Sequence, residues 1–178
     1  ASEGGGTIYF PAGTYLTATI HMKSNITLHL ESGAIVRFSD RFEDYLPFVT
    51  ARWEGTVMQT LSPLIYAHSA DNLTITGRGT LDGNGLKWWL WEFETRKVIK
   101  ENGGKLPSLD KLQQMWVDAN KDLEISDYYK PSLERKMFRP PFIQFYECTN
   151  ILIENVKIIN SPFWTVNPAF CDNVTIHG

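Results

Sequence analysis

The chain has 178 residues, 43% hydrophobic and 21% charged, which suits one globular domain with a sizeable core and excludes a disordered chain. Its net charge of −3 comes without a Lys/Arg block, because Lys23, Arg37 and Arg52 are scattered, so no nucleic-acid partner is expected. No apolar run approaches the roughly 18 residues that cross a membrane, so no membrane partner is expected either. Ala1-Ser2-Glu3-Gly4-Gly5-Gly6 also lacks the basic head and apolar middle of a signal peptide.

In chain order, Gly4 to Tyr15 reads as a strand, a turn at Pro11-Ala12-Gly13 and a second strand. Lys23-Ser24-Asn25-Ile26-Thr27-Leu28 then sets a pattern: a polar pair, an Asn, and alternating branched apolar residues. The pattern returns at Asp71-Asn72-Leu73-Thr74-Ile75, Thr149-Asn150-Ile151-Leu152-Ile153 and Asp172-Asn173-Val174-Thr175-Ile176. Asn150 and Asn173 are 23 residues apart. Asn25 and Asn72 are 47 apart, close to two such steps. The 78 residues from Asn72 to Asn150 exceed three steps and imply an insertion.

A step of this size suits one coil of a right-handed parallel β-helix, a single-stranded solenoid whose short strands stack on those of neighbouring coils. The alternation of Ile151, Ile153, Val156 and Ile158 is what a strand with one buried face requires. Asn tolerates the left-handed backbone of a tight corner, and stacked Asn side chains can hydrogen-bond along the axis. The fold class is therefore all-β.

The recurrence absorbs several tempting motifs. Asn25-Ile26-Thr27, Asn72-Leu73-Thr74 and Asn173-Val174-Thr175 are glycosylation sequons, yet at the coil period they read as corner Asn plus outward Thr. Cys148 and Cys171 occupy the same place in consecutive coils and read as a ladder of two buried thiols, since neighbouring parallel side chains point the same way. His21, His29, His68 and His177 are isolated, and no zinc-type spacing is present, so no metal site is expected. Asp82, in Leu81-Asp82-Gly83-Asn84-Gly85, reads as turn chemistry.

Leu86 to Arg139 breaks the rhythm and reads as a helical excursion hung on the β-helix. Trp88, Trp89 and Trp91 are placed to anchor its first helix, and Gly103-Gly104 ends it. A second helix follows Pro107-Ser108, with Ser108 as the cap and Leu112, Met115 and Trp116 on one face. Long insertions on solenoids tend to fall on one face, often the binding face.

Seven motifs occur in a fixed order: Gly4–Leu16 (Gly-Gly-Gly-Thr-Ile-Tyr-Phe-Pro-Ala-Gly-Thr-Tyr-Leu), Lys23–Glu31, Arg52-Trp53-Glu54-Gly55, Gly79–Gly85 (Gly-Thr-Leu-Asp-Gly-Asn-Gly), Trp88-Trp89-Leu90-Trp91, Arg139–Ile143 and Asn160–Pro168 (Asn-Ser-Pro-Phe-Trp-Thr-Val-Asn-Pro). Together they resemble glycoside hydrolase family 28, the polygalacturonases and their relatives. The resemblance implies hydrolysis of galacturonic-acid-containing pectic polysaccharide with inversion at the anomeric carbon. It also implies an extracellular or periplasmic location and no cofactor. One carboxylic acid protonates the leaving oxygen while another carboxylate, roughly 6.5–9.5 Å away, activates water. The family's Asn-Thr-Asp, Asp-Asp, Gly-His-Gly and Arg-x-Lys motifs do not occur in this sequence. By resemblance they follow the coil that ends at Gly178, and a capping helix precedes Gly4. Residues 1–178 are therefore expected to be a partial β-helix domain, with its catalytic portion beyond 178 and no catalytic residue inside it. The partners expected are a pectic oligo- or polysaccharide and the remainder of its own chain.

Within the chain, Arg52, Trp53 and Glu54 form the best local candidate for sugar contact, because an Arg fork pairs with a uronate and a Trp face packs on a sugar ring. The competing reading is that they pin a loop to the body. Trp164 and Asn167 join them on the coil that precedes the expected catalytic strand; for Trp164, stacking inside the coil competes with a place in the cleft. Relatives often carry His where Asn167 stands. The excursion could close a cleft, which favours exo action. Two alternatives stand: a pectate lyase, which needs a cluster of acidic calcium ligands, and a non-catalytic carbohydrate-binding β-helix.

Overall fold

A computed structural model describes residues 4–104, 106–123 and 139–178. Three short strands make each coil. The first coil holds β1 (Gly6–Phe10), β2 (Gly13–Thr17) and β3 (Ile20–His21). The second holds β4 (Ile26–Leu30) and β5 (Ala34–Phe38), then an antiparallel hairpin of β6 (Val49–Trp53) and β7 (Thr56–Thr60), then β8 (Ile65–His68). The third runs through β9 (Asp71–Gly77) and β10 (Thr80–Asp82), two helices, α1 (Leu86–Glu101) and α2 (Lys111–Ala119), and β11 (Ile143–Tyr146). The fourth contains β12 (Thr149–Glu154) and β13 (Lys157–Ile159), and β14 (Asp172–His177) opens a fifth.

Equivalent strands stack in parallel, so each position of a coil generates one wall of a parallel β-helix. The first wall is β1-β4-β9-β12-β14, the second β2-β5-β10-β13 and the third β3-β8-β11. The third wall continues into the fourth coil through parallel bridges from Ile143 to Val166 and from Tyr146 to Ala169. Alternation does the rest. Leu28, Ile75 and Ile153 share one register and point inward with Leu30, Val36, Leu81, Ile65 and Ile143, all buried. At about 25 cal/mol per Å² of apolar surface removed from water, this continuous strip dominates the stability of the solenoid.

The corner Asn residues behave as the sequence predicts. Asn25, Asn72, Asn150 and Asn173 all have left-handed φ, between 53 and 61°. Asn72 donates its amide to Asn25 (2.7 Å), Asn150 to Asn72 (3.1 Å) and Asn173 to Asn150 (2.7 Å). One spacing needs correction. The interval of 47 is one coil, not two, because Asn25 and Asn72 are direct ladder neighbours and Thr27 pairs with Thr74. The segment between β5 and β8, which carries the hairpin, inserts a length of chain close to one coil, and this imitates a missing repeat. Cys148 and Cys171 are free thiols at equivalent places in consecutive coils, Cys148 buried and Cys171 half-buried; burial raises the pKa of both.

Both insertions leave after the second wall and return to the third. Phe42 and Tyr45, in the short turn after β5, receive α1: Trp88 is fully buried and stacks on Phe42 with ring centroids 4.0 Å apart. Trp91 meets Phe42 edge-on, and Trp89 donates its indole N–H to the Ser161 carbonyl (2.9 Å). The tryptophans therefore anchor the helix. The cap of α2 is Asp110 rather than Ser108: its carboxylate accepts from the Gln113 N–H while the Gln113 side chain accepts from the Asp110 N–H (2.8 Å each). The carboxylate stands three residues before a Gln that completes a reciprocal cap, which Ser108 could not form at that spacing. The buried face of α2 is correspondingly Gln113 and Trp116, with Asn120 buried just past its end, and Met115 is exposed. Residues 124–138 of the expected excursion lie outside the described residues.

Candidate functional site

The hairpin is folded down over the third wall. Gln144, on β11, is fully buried and bonds the hairpin backbone in both directions: Arg52 N–H donates to its Oε1 (3.1 Å), and its Nε2 donates to Arg52 O (2.8 Å). A side-chain amide here imitates a strand neighbour, so it fixes Arg52 as firmly as a ladder pair would. Asn167, its neighbour in the next coil, is also buried and reaches the same carbonyl at 3.5 Å. Tyr66 OH donates to Thr50 O, and Tyr66 and Tyr146 form an apolar floor with Ala169, Val49 and Val57. Burial pushes the Tyr66 hydroxyl up to about 12, so it remains a donor at any physiological pH.

At the hairpin tip the backbone turns through Glu54 and Gly55, both with positive φ. Trp53 is buried and stacks on Phe163 (5.6 Å, 13°), which stacks in turn on Trp164 (5.0 Å, 10°). Trp53 also packs with Met58 and Trp116, and α2 holds this patch from the other side: Trp116 donates to Gln59 O (2.8 Å), and the Asn120 amide bonds Gln59 through both its oxygen and its nitrogen. Arg139 lies over Phe163 (5.1 Å) and donates to Pro162 O (2.8 Å); burial lowers its pKa.

Four of the five sequence-selected residues are thus linked through the hairpin. Arg52, Trp53 and Asn167 meet at the Gln144 clasp or beside it, and Trp164 joins through Phe163. Glu54 sits exposed on the turn. Trp164 corrects one expectation: it stands outside the coil, 42% exposed, at the end of the aromatic stack. Trp53 is the reverse, with 4% exposure, so its ring braces the site rather than offering a free face. The Arg52 guanidinium lies 5.6 Å from the Phe170 ring centroid, and its Nε has no hydrogen-bond partner among the described residues. Sequence reasoning missed Gln144, Phe163 and Phe170. Gln144 did carry a signal, a lone polar residue between Ile143 and Phe145 on a short apolar strand, but nothing local tells that it meets residue 52.

Chemically this constellation offers a guanidinium, an indole face and one carboxylate, Glu54. An inverting glycosidase needs two opposed carboxylates, and the five residues do not supply them.

No protein-family model matches the chain. It is 38% identical to a hyperthermoactive exopolygalacturonase from Thermotoga maritima, with a TM-score of 0.73, covering 98% of this chain and 38% of that one. This family 28 resemblance in sequence is matched in structure. The chain is similar to a part of these polygalacturonases. A probable polygalacturonase of Vitis vinifera is 28% identical over 183 residues, covering 99% of this chain. The Yersinia enterocolitica family 28 exopolygalacturonase shares the fold, with 21% identity and a TM-score of 0.64 over 97% of this chain. The polygalacturonase-like chain spans only 29% of the Vitis protein and 38% of the Thermotoga one.

Proposed function

We propose that this chain forms part of an inverting hydrolase of galacturonic-acid-containing pectic polysaccharide, secreted or periplasmic, whose catalytic carboxylates lie outside residues 1–178. The observation that carries the reading is the likeness to the Thermotoga exopolygalacturonase along 98% of this chain. In this reading Arg52 pairs with a uronate carboxylate, Trp164 packs against a sugar ring, and Trp53 and Asn167 hold the hairpin in place. Glu54 accepts hydroxyls at the rim. The hairpin and α2 pack on each other through Trp53, Trp116 and Gln59, and in this reading they close one end of the cleft, which favours action from a chain end.

The test is an assay of the complete reading frame on polygalacturonate. Release of reducing ends with inverted anomeric configuration, followed by NMR, is the expected result, and Arg52→Ala raises KM roughly tenfold for loss of a charge-assisted contact. Ultraviolet-absorbing unsaturated products would replace the reading with a lyase. Binding without any cleavage would replace it with a carbohydrate-binding β-helix.

A further inference from the structure

On the outer side of the second wall, an open cleft of about 370 Å³ is lined by Arg37, Asp82, Asn84, Leu86, Trp89 and Asn160 together with Gly85. Its size falls within the roughly 300–1,000 Å³ of small-ligand sites. At its base is Asp82, whose side chain is 5% exposed. This carboxylate collects three donors from three separate pieces of chain: Arg37 Nε on β5 (2.9 Å), the Asn160 amide after β13 (2.8 Å) and the Asn84 N–H (3.0 Å). Burial by itself would raise the pKa of Asp82; the hydrogen bonds from Asn160, Asn84 and Arg37 outweigh it and lower the net value. Asp82 is therefore a charged hub, which goes beyond the turn role read from Asp-Gly. The turn still matters, because a Cβ on Gly83 would lie 2.6 Å from the Asn160 carbonyl oxygen.

The hub spends only one of the N–H groups of Arg37, and the guanidinium is half exposed toward the cleft. Asn84 donates its own amide to Phe38 O (3.2 Å) and Asn160 donates to Asp82, which leaves the oxygens of both amides as acceptors. Trp89, locked through its indole N–H to Ser161, and Leu86, 60% exposed, supply the apolar side. An oriented guanidinium, two amide oxygens and an apolar wall with an aromatic ring together match a sugar acid: the carboxylate to the fork, hydroxyls to the amides, and a ring face to Trp89. The adjoining hollow, which shares Asn84, carries Asp40 and Asp44 beside Arg41, so its charge directs an anion to the Arg37 end.

We propose that this cleft is a second carbohydrate-binding site, on a different wall from Arg52 and Asn167, that takes a uronate residue of a pectic chain. The choice of ligand rests on the proposed function. Such a site would hold a long polymer against the side of the solenoid while another part of it is engaged elsewhere.

The test uses the complete protein, saturated digalacturonate as probe, and the Trp89 indole N–H resonance as reporter. Leu86→Glu is the decisive variant. Position 86 is exposed at the start of α1, whose first turn has no acidic residue, so a carboxylate there suits the helix dipole and spares the fold while repelling a uronate. Leu86→Glu and Arg37→Gln should each weaken the Trp89 response roughly tenfold or more, while Arg52→Ala leaves it unchanged. A wild-type response in Leu86→Glu, an equal response to uncharged digalactoside, or loss of the response in Arg52→Ala would overturn the proposal. Hydrolysis of polygalacturonate with no Trp89 response removes the cleft alone. A Trp89 response without hydrolysis removes the enzyme reading alone.

Discussion

The solenoid walls and the two insertions are built on opposite logic. In the walls every side chain has a counterpart one coil away: Leu28 faces Ile75, Ile75 faces Ile153, and Asn72 lies between Asn25 and Asn150. In the insertions each contact is made once. Gln144 clasps Arg52 across 92 residues of chain, and Trp116 meets Gln59 across 57. Repetition makes the walls robust, since each coil contacts only its neighbours. Single-use contacts make the insertions the place where a binding surface can be shaped, and the place where one substitution can unmake it.

Four substitutions separate the two regimes. Leu73→Ala, at a fully buried position on the central strand of the first wall, should cost about 3 kcal/mol by lost burial and a residual cavity, read by chemical denaturation. Gln144→Ala should cost about 2 kcal/mol, because it leaves the Arg52 N–H and carbonyl without their buried partner. Its signature is local: amide exchange should accelerate at Arg52 and Trp53 but not in β9 or β12. Equal acceleration in those strands would show that the hairpin is not held independently of the wall.

Asp82→Asn should cost about 1.5 kcal/mol at neutral pH, the scale of hydrogen bonds to a charged group. Its pH dependence follows from the lowered pKa of Asp82. A depressed carboxylate contributes stability that is present above its unfolded-state value of about 4 and is lost as pH falls through the folded value. The gap between wild type and Asp82→Asn should therefore close on acidification below about pH 4, and a gap independent of pH would contradict the hub. The smallest effect is expected for Asn72→Ala, about 1 kcal/mol, from a left-handed φ of 58° that alanine disfavours and from two lost ladder bonds on an exposed corner. Asn72→Gly should cost less, because glycine keeps the backbone; a thermal melt distinguishes them.

The walls were legible residue by residue. The Asn at each corner announced both a left-handed turn and a ladder, and alternation in Ile151 and Ile153 fixed which face is buried. The tryptophans of α1 were legible as anchors because three large rings in four positions need a surface to cover. Asp110 was harder: its cap depends on a Gln three residues on, and Ser108 offered a rival oxygen nearby. The interval of 47 misled for a plain reason, that an insertion of nearly one coil's length between β5 and β8 imitates a repeat.

By itself, then, the chain determined a stack of parallel coils with one buried row, since period and alternation are local properties and hydrophobic burial enforces them without distant information. Only the tertiary structure decided that Arg52 is clasped by Gln144, that Trp53 is covered while Trp164 is open, and that Arg37, Asn84 and Asn160 converge on Asp82. Apart from the local Asn84–Asp82 bond, those contacts join residues dozens of positions apart, and which of them meet depends on how the coils stack and how each insertion folds back, not on any pattern within reach of either partner.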